Sequence, residues 1–353
     1  MAIDADFWAR RRVLVTGHTG FKGAWLSLWL QSLGAELSGL APGAPTRPSL
    51  YELAGVGAGM REYSADVRDL GAVREALARA RPEVILHMAA QPIVRRSLVE
   101  PVATYEVNVL GTLNLLECVR HAPGEVQAVV VVTSDKCYAH QPEQPRRRFV
   151  EGDPLGGADP YSSSKACAEL VAAAYRSSLF ARDHGPRVAT ARAGNVIGGG
   201  DWGQDRLIAD VARAIASGDP VRVRNPGAVR PWQHVLNPLS GYLLLAQELS
   251  RTADVARAWN FGPREDDEQT VSWLLARLSA LWGEGLSWEA EEAGNPPEAA
   301  HLALDSSAAE RELGWRSHWS LPETLERIVQ WHRAERAGAD MRAFTVSQIE
   351  AFA

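Results

Sequence analysis

A chain of 353 residues, 46% hydrophobic and 23% charged, is long enough for a large core and two packed domains. Its formal charge of −6, with Arg146 to Arg148 as the densest basic cluster, lacks the basic stripe of a nucleic-acid binder, and that cluster reads as a solvated loop. Cys118, Cys137 and Cys167 form no CxxC or His/Cys cluster, and no run reaches the ~20 apolar residues of a membrane span, so a soluble, cytoplasmic protein without metal or disulfides is expected.

The first element, RVLVTG (12–17), is an apolar β-branched run without polar alternation, the pattern of a buried strand. It runs into Gly17, Gly20 and Gly23, which open a helical pattern, GAWLSLWLQSLG. Such a turn bares backbone amides at a helix N-terminus, where a phosphate is attracted and a side chain would obstruct it. Trp25 and Trp29, four apart, read as core. The second strand region, ELSGLAPGAP, ends without the ribose-binding acid expected about 20 residues after the turn, and Glu36 comes too early. With Lys22 in the turn, NAD and NADP both stay open.

GAVREALARA predicts a helix, PEVILHMAA (82–90) a strand and residues 102–122 a long helix. VQAVVVVTSD (126–135) predicts a buried strand delivering Ser134, Asp135 and Lys136 to its C-terminal end, where the chemistry of open α/β sheets gathers. In DPYSSSKACAEL, Tyr161 and Lys165 share one helix face, and an ammonium near a phenol favours the phenolate. Beyond residue 190 the rhythm becomes irregular and rich in Pro and Gly. The fold expected is α/β, a Rossmann-type doubly wound parallel sheet with a smaller, mixed α/β C-terminal substrate domain. Residues 1–190 would form the dinucleotide-binding domain, with returning segments at about 231–263, and 191–353 mainly the substrate domain. Residues 289–300 read as a polar loop.

The glycine turn, the YxxxK pair and Asn108 in the preceding helix together resemble the extended short-chain dehydrogenase/reductase family. Within it, TGHTGFKGAWL, HMAAQPIVR, TSDKCY, DPYSSSKACAELV, RAGNVIGGGDW, RPWQHV and WNFGPR are jointly similar to the nucleotide-sugar 4,6-dehydratases that act on CDP-glucose, across residues 12 to 335. The resemblance implies a redox-neutral loss of water from a nucleotide sugar, CDP-glucose, with NAD (NADP left open) ending each turnover unchanged. Its product would feed deoxysugars such as those of lipopolysaccharide O-antigen. Tyr161, with Lys165, would deprotonate the sugar 4-hydroxyl. Ser134 would hold O4, and Asp135 would be the general acid at C6. Lys136, where dTDP-glucose relatives carry glutamate, would be the C5 base, which requires its desolvation or a neighbouring cation.

The same resemblance gives the cofactor Gly17, His18, Gly20, Phe21, Lys22, Gly23, Asp66, Val67, Ala89, Ala90, Asn108 and Thr133, besides Tyr161 and Lys165. It gives the nucleotide sugar Gln91, Asn195, Arg206, Leu207, Val223, Arg224, Arg230 and Glu298. Trp232, within RPWQHV, is a further residue to follow. Two departures from the family stand out: Gly43 replaces an aspartate, and the histidines around Glu298 are shifted or lost. The helices around 103–121 and 161–178 would pair with their copies, giving a homodimer or a dimer of dimers. The competing readings are a dehydratase for another nucleotide, an epimerase, and a noncatalytic nicotinamide-binding regulator. Asp135 with Lys136 favours dehydration, and the retained Tyr161 and Lys165 count against the regulator.

Overall fold

The computed structural model describes residues 3–122, 125–139, 147–180, 185–283, 286–291 and 302–353. Seven parallel strands form the central sheet: β1 (Arg12–Thr16), β2 (Glu36–Ala41), β3 (Arg61–Ser64), β4 (Val84–His87), β5 (Ala128–Val132), β6 (Arg187–Arg192) and, from far along the chain, Ala258–Asn260. Their spatial order is β3–β2–β1–β4–β5–β6 followed by Ala258–Asn260. The chain therefore builds outward from β1 on one side and from β4 on the other, and the turns after β1 and β4 flank the switch point.

Alternate side chains of each inner strand face opposite layers. Val13 and Val15 join one apolar cluster and Leu14 the other; Val130 and Val132 oppose Val129 and Val131. Both faces are covered by helices, which is why these strands read as unbroken apolar runs. Each fully buried aliphatic side chain contributes about 1.5–3 kcal/mol. The helix Phe21–Ser32 buries Trp25 and Trp29 in the first cluster, as their spacing predicts.

The later part of the chain adds short two-stranded pairings. Val221–Val223 pairs with Trp288–Ala290, Val229–Pro231 with Glu268–Thr270, and Val196–Ile197 with Gln233–His234. Helices Leu207–Ser217, Val271–Trp282 and Leu321–Arg336 pack around them on a third apolar cluster that includes Val211, Trp232, Leu274, Leu278 and Ile328. The closing helix, Met341–Phe352, returns to the first half of the chain. Phe352 meets the Trp29 ring edge-on at 5.6 Å, and Arg342 Nη2 donates to Gln31 Oε1 at 2.6 Å. Among the described residues, no helix is long and apolar enough to cross a membrane.

Candidate active site

At the end of β1 the chain turns at Gly17 with φ +73°, a conformation that L side chains resist. A Cβ on Gly17 would come within 2.8 Å of Ala89 N, and one on Gly23 within 2.1 Å of Gly17 O. Two glycines thus let the turn press against the β4 loop and let the helix press against the turn. Gly20 is the N-cap, with no side chain bonding to the first-turn amides, which stay free for an anion. The turn fits a dinucleotide pyrophosphate.

Beneath it, Thr16 Oγ1 accepts from the amides of Met88 and Ala89 and bonds His87 Nδ1 at 2.7 Å, joining the two switch-point turns. Ala89 and Ala90, both partly exposed, follow directly. Asn108 sits in a π-helical turn, Glu106–Leu110, inside the long helix. Its amide donates to Gln91 O and Ser164 Oγ, so it ties the β4 loop to the helix Pro160–Ala174. Phe21, next in the turn, packs against the first core cluster.

His18 is buried rather than solvated, and its Nε2 bonds Glu62 Oε1 at 2.8 Å. Burial lowers its pKa, opposed by Glu62. The imidazole lies where a Cβ on Gly39 would be 2.5 Å from it, so Gly39 makes its pocket. Tyr51 donates to the same Glu62 oxygen. On the ribose side, Gly43 leaves open space, while its carbonyl accepts from Thr19 Oγ1 at 2.6 Å. Lys22 is held inside the fold. Its Nζ donates to Tyr242 Oη at 2.9 Å, and burial, with repulsion from Lys165 and Arg206, lowers its pKa to about 7. Asp66 is held below the usual carboxylate range, chiefly by Arg68, whose Nη2 donates to it at 2.9 Å. Val67 is buried against Gly111, and Asn114 pins its carbonyl.

The residues expected to carry the chemistry gather at the end of β5. Thr133 and Ser134 are buried, and Ser134 Oγ donates to Asp135 Oδ1 at 2.9 Å. Asp135 is 2% exposed and its Oδ2 has no hydrogen-bond partner among the described residues. Burial raises its pKa, against the pull of Lys136, Ser134 and Arg230. A buried carboxyl that prefers to keep its proton suits a general acid. Lys136, half-buried, follows in the same turn, its amide donating to Ser134 Oγ.

Tyr161 and Lys165 lie one turn apart on the helix Pro160–Ala174, which Asp159 caps through the Ser162 amide. Both are buried. Burial pushes Tyr161 up to about 12, with a hydrogen bond to Ser134 as the strongest opposing influence. Burial pushes Lys165 down to about 8, and its ammonium donates to Val132 O at 3.3 Å. Desolvation of the hydroxyl dominates the environment of Tyr161 in the fold.

Facing them is the later part of the chain. Asn195 takes φ +47° just after β6, and Arg230 is buried, close enough to Asp135 to act on its charge. Arg206 immediately precedes the helix that begins at Leu207, with Asp201 near its guanidinium. Arg224 is half-buried at the end of Val221–Val223. Two expected pocket residues turn inward instead. Val223 belongs to the apolar cluster, since Val221 and Val223 share the inner face of their strand. The Gln91 amide is spent on Thr104 Oγ1 and on the Ile93 backbone, so it buttresses the loop. Trp232 is core, its Nε1 donating to Gln269 O at 2.9 Å. Glu298 and Arg146 lie outside the described residues. Among those described, no group of three or more His, Cys, Asp or Glu could hold a metal ion.

Sequence reasoning missed Gly194, on whose α-carbon Asp135 rests, and Tyr242, which holds Lys22. Gly194 stands in RAGNVIGGGDW, but only the fold shows what lies over it.

Residues 13–262 match the model of the NAD dependent epimerase/dehydratase family. A CDP-glucose 4,6-dehydratase of Salmonella typhimurium is 49% identical over 348 residues, covering 96% of this chain and 95% of that protein. A dTDP-glucose 4,6-dehydratase of Streptomyces griseus is 29% identical over 341 residues, covering 92% and 95%. Among solved structures, a dTDP-glucose 4,6-dehydratase from Streptomyces venezuelae with NAD bound superposes with a TM-score of 0.76 at 27% identity, covering 93% of this chain and 98% of that one. A Thermus thermophilus UDP-glucose 4-epimerase complexed with NAD gives 0.78 at 27% identity, covering 91% and 98%.

Proposed function

The chain belongs to the NAD dependent epimerase/dehydratase family, and from that premise we propose that it is a hydro-lyase, a CDP-glucose 4,6-dehydratase, using NAD to form CDP-4-keto-6-deoxyglucose and water. The observation that carries the dehydration is Asp135: a buried carboxyl with a raised pKa, beside Lys136 and across from Tyr161. A simple C4 epimerase has no use for an acid at C6.

NAD would be held by the glycine turn, with Asp66 and Val67 toward the adenine and Ala89, Ala90, Asn108 and Thr133 along the cleft. When bound, it supplies a hydride acceptor and donor whose oxidised ring carries positive charge, a charge that favours the phenolate of Tyr161. Tyr161 takes the proton of the 4-hydroxyl, with Ser134 bonding the O4 region and Lys165 below. With the C4 hydride given up to the cofactor, the C4 ketone acidifies the C5 proton, which Lys136 removes. Asp135 protonates the departing C6 hydroxyl, so one water leaves across C5 and C6, and the product is completed when C6 takes back that hydride and C5 takes a proton. Asn195 and Arg230 bind the substrate pyrophosphate, an Arg fork matching its oxygens. Arg206, Leu207 and Arg224 border the nucleotide, with Glu298 at its far end.

In this reading residues 1–190 and the returning 231–263 form the cofactor half, with the closing helix packed on it, and 191–353 mainly the sugar-nucleotide half. The working form is a cytoplasmic homodimer or dimer of dimers. Val102, Leu110, Leu113, Leu170 and Leu179 give the two long helices an exposed apolar face, which supports pairing with a second copy. Three free cysteines agree with a reducing compartment. Turnover in deuterated water tests the chemistry: the dehydrated product should carry solvent deuterium at C5, and a C4 epimer that has lost no water would overturn the assignment.

A further inference from the structure

The turn that carries the acid and the base, Ser134 to Lys136, is held from both flanks by one buried ion pair. Glu169 lies one helical turn beyond Lys165, Arg192 ends β6, and both are 3% exposed. Arg192 Nη2 donates to Glu169 Oε2 at 2.8 Å. Thr133, just before the turn, donates to the other oxygen of Glu169. Tyr138, just after it, accepts at its hydroxyl from Arg192 Nη1 at 2.8 Å. The Tyr138 ring also lies under the guanidinium, 4.8 Å from its carbon, and stacks on Phe149. Thr190 Oγ1 donates to Glu169 at 2.7 Å, and Tyr138 Oη donates to Asn260 Oδ1 at 2.7 Å. Asn260 in turn donates to the carbonyls of Phe149 and Asp305.

We propose that the Glu169–Arg192 pair is a positioning device for the reaction: it fixes the Asp135–Lys136 turn against the helix bearing Tyr161 and Lys165, so that acid, base and phenol share one frame. Two desolvated charges are a poor way to stabilise a fold, since an apolar pair of similar volume often does as well. An apolar pair would release both Thr133 and Tyr138. A buried network of directional bonds does something packing cannot, because each bonded group is satisfied in one geometry. Burial is outweighed by the contact with Arg192, helped by Thr133 and Thr190, which holds Glu169 below its ordinary pKa and favours the charged pair. Neither residue reaches the reacting atoms in this scheme; each acts through Thr133 and Tyr138.

The inference rests on the dehydratase reading, and its test separates the two. Tyr138→Phe keeps the ring stacked and removes only the hydroxyl link. The double variant Glu169→Gln/Arg192→Met removes the charges at similar volume. With CDP-glucose and NAD, each is expected to lower kcat about tenfold, the equivalent of one well-aligned hydrogen bond, with KM unchanged. Amide hydrogen exchange, followed without substrate, is expected to quicken in residues 133–138 in both, while the Tm of the double variant stays at or above that of the wild type. A variant that keeps wild-type kcat, or loses kcat only in proportion to lost folded protein, overturns the positioning role. A wild-type protein that releases no water from CDP-glucose overturns the dehydratase reading, and this inference with it.

Discussion

The carboxyl of Asp135 rests on the α-carbon of Gly194, so close that an added Cβ would fall 1.7 Å from Oδ2. Nothing larger than glycine at 194 leaves the acid where it is. Gly194→Ala must push the Asp135 carboxyl aside by more than an ångström, and misplacement on that scale costs about 10²-fold in rate. Steady-state kinetics should show that loss in kcat with little change in KM, in a protein whose circular dichroism is native. Unaltered kcat would mean that Asp135 is not where the chemistry happens.

Asp135 also predicts a pH-dependent stability. Its pKa is raised in the fold, so the folded state favours the protonated form and ionisation works against folding. That penalty is absent below the unfolded-state pKa and fully present once pH exceeds the folded one. Asp135→Asn removes it. The variant should be inactive yet melt higher than the wild type at alkaline pH, with the gap closing as pH falls into the ordinary carboxylate range. Thermal melts across pH decide it, and a variant that melts lower at alkaline pH contradicts the account.

Much of this was legible in the sequence, for a simple reason. Strands buried on both faces need unbroken β-branched runs, and a phosphate turn needs glycines in fixed places, so β1, β4, β5 and the turn announce themselves locally. Tyr161 and Lys165 need only helical spacing. What stayed hidden depends on partners far along the chain. His18 lies in a pocket made by Gly39 and Glu62, from two other strands. Lys22 is claimed by Tyr242, 220 residues later. Val223 turns inward because its strand alternates about Arg222, which VRVRNP alone does not orient. Likewise, nothing in the closing helix foretells that it packs against Trp29.

Self-association should depend on the apolar helical face. Val102 is 69% exposed and Leu170 58% exposed in the single chain. Replacing both with aspartate puts unpaired charge into the proposed interface, where burying it costs several kcal/mol. Sedimentation equilibrium should find the wild type as a dimer or tetramer and the double variant shifted to monomer with its fold intact. A wild type that sediments as monomer throughout contradicts the assembly.

The most direct test of the central claim is to offer the purified protein, with NAD, CDP-glucose, dTDP-glucose, UDP-glucose and GDP-mannose in turn, and to weigh each nucleotide sugar. Loss of one water is expected from CDP-glucose alone, with no net reduction of NAD. Loss of water from a different nucleotide sugar would keep the mechanism and contradict the CDP assignment. No loss from any of the four, with NAD bound, would contradict the dehydratase itself.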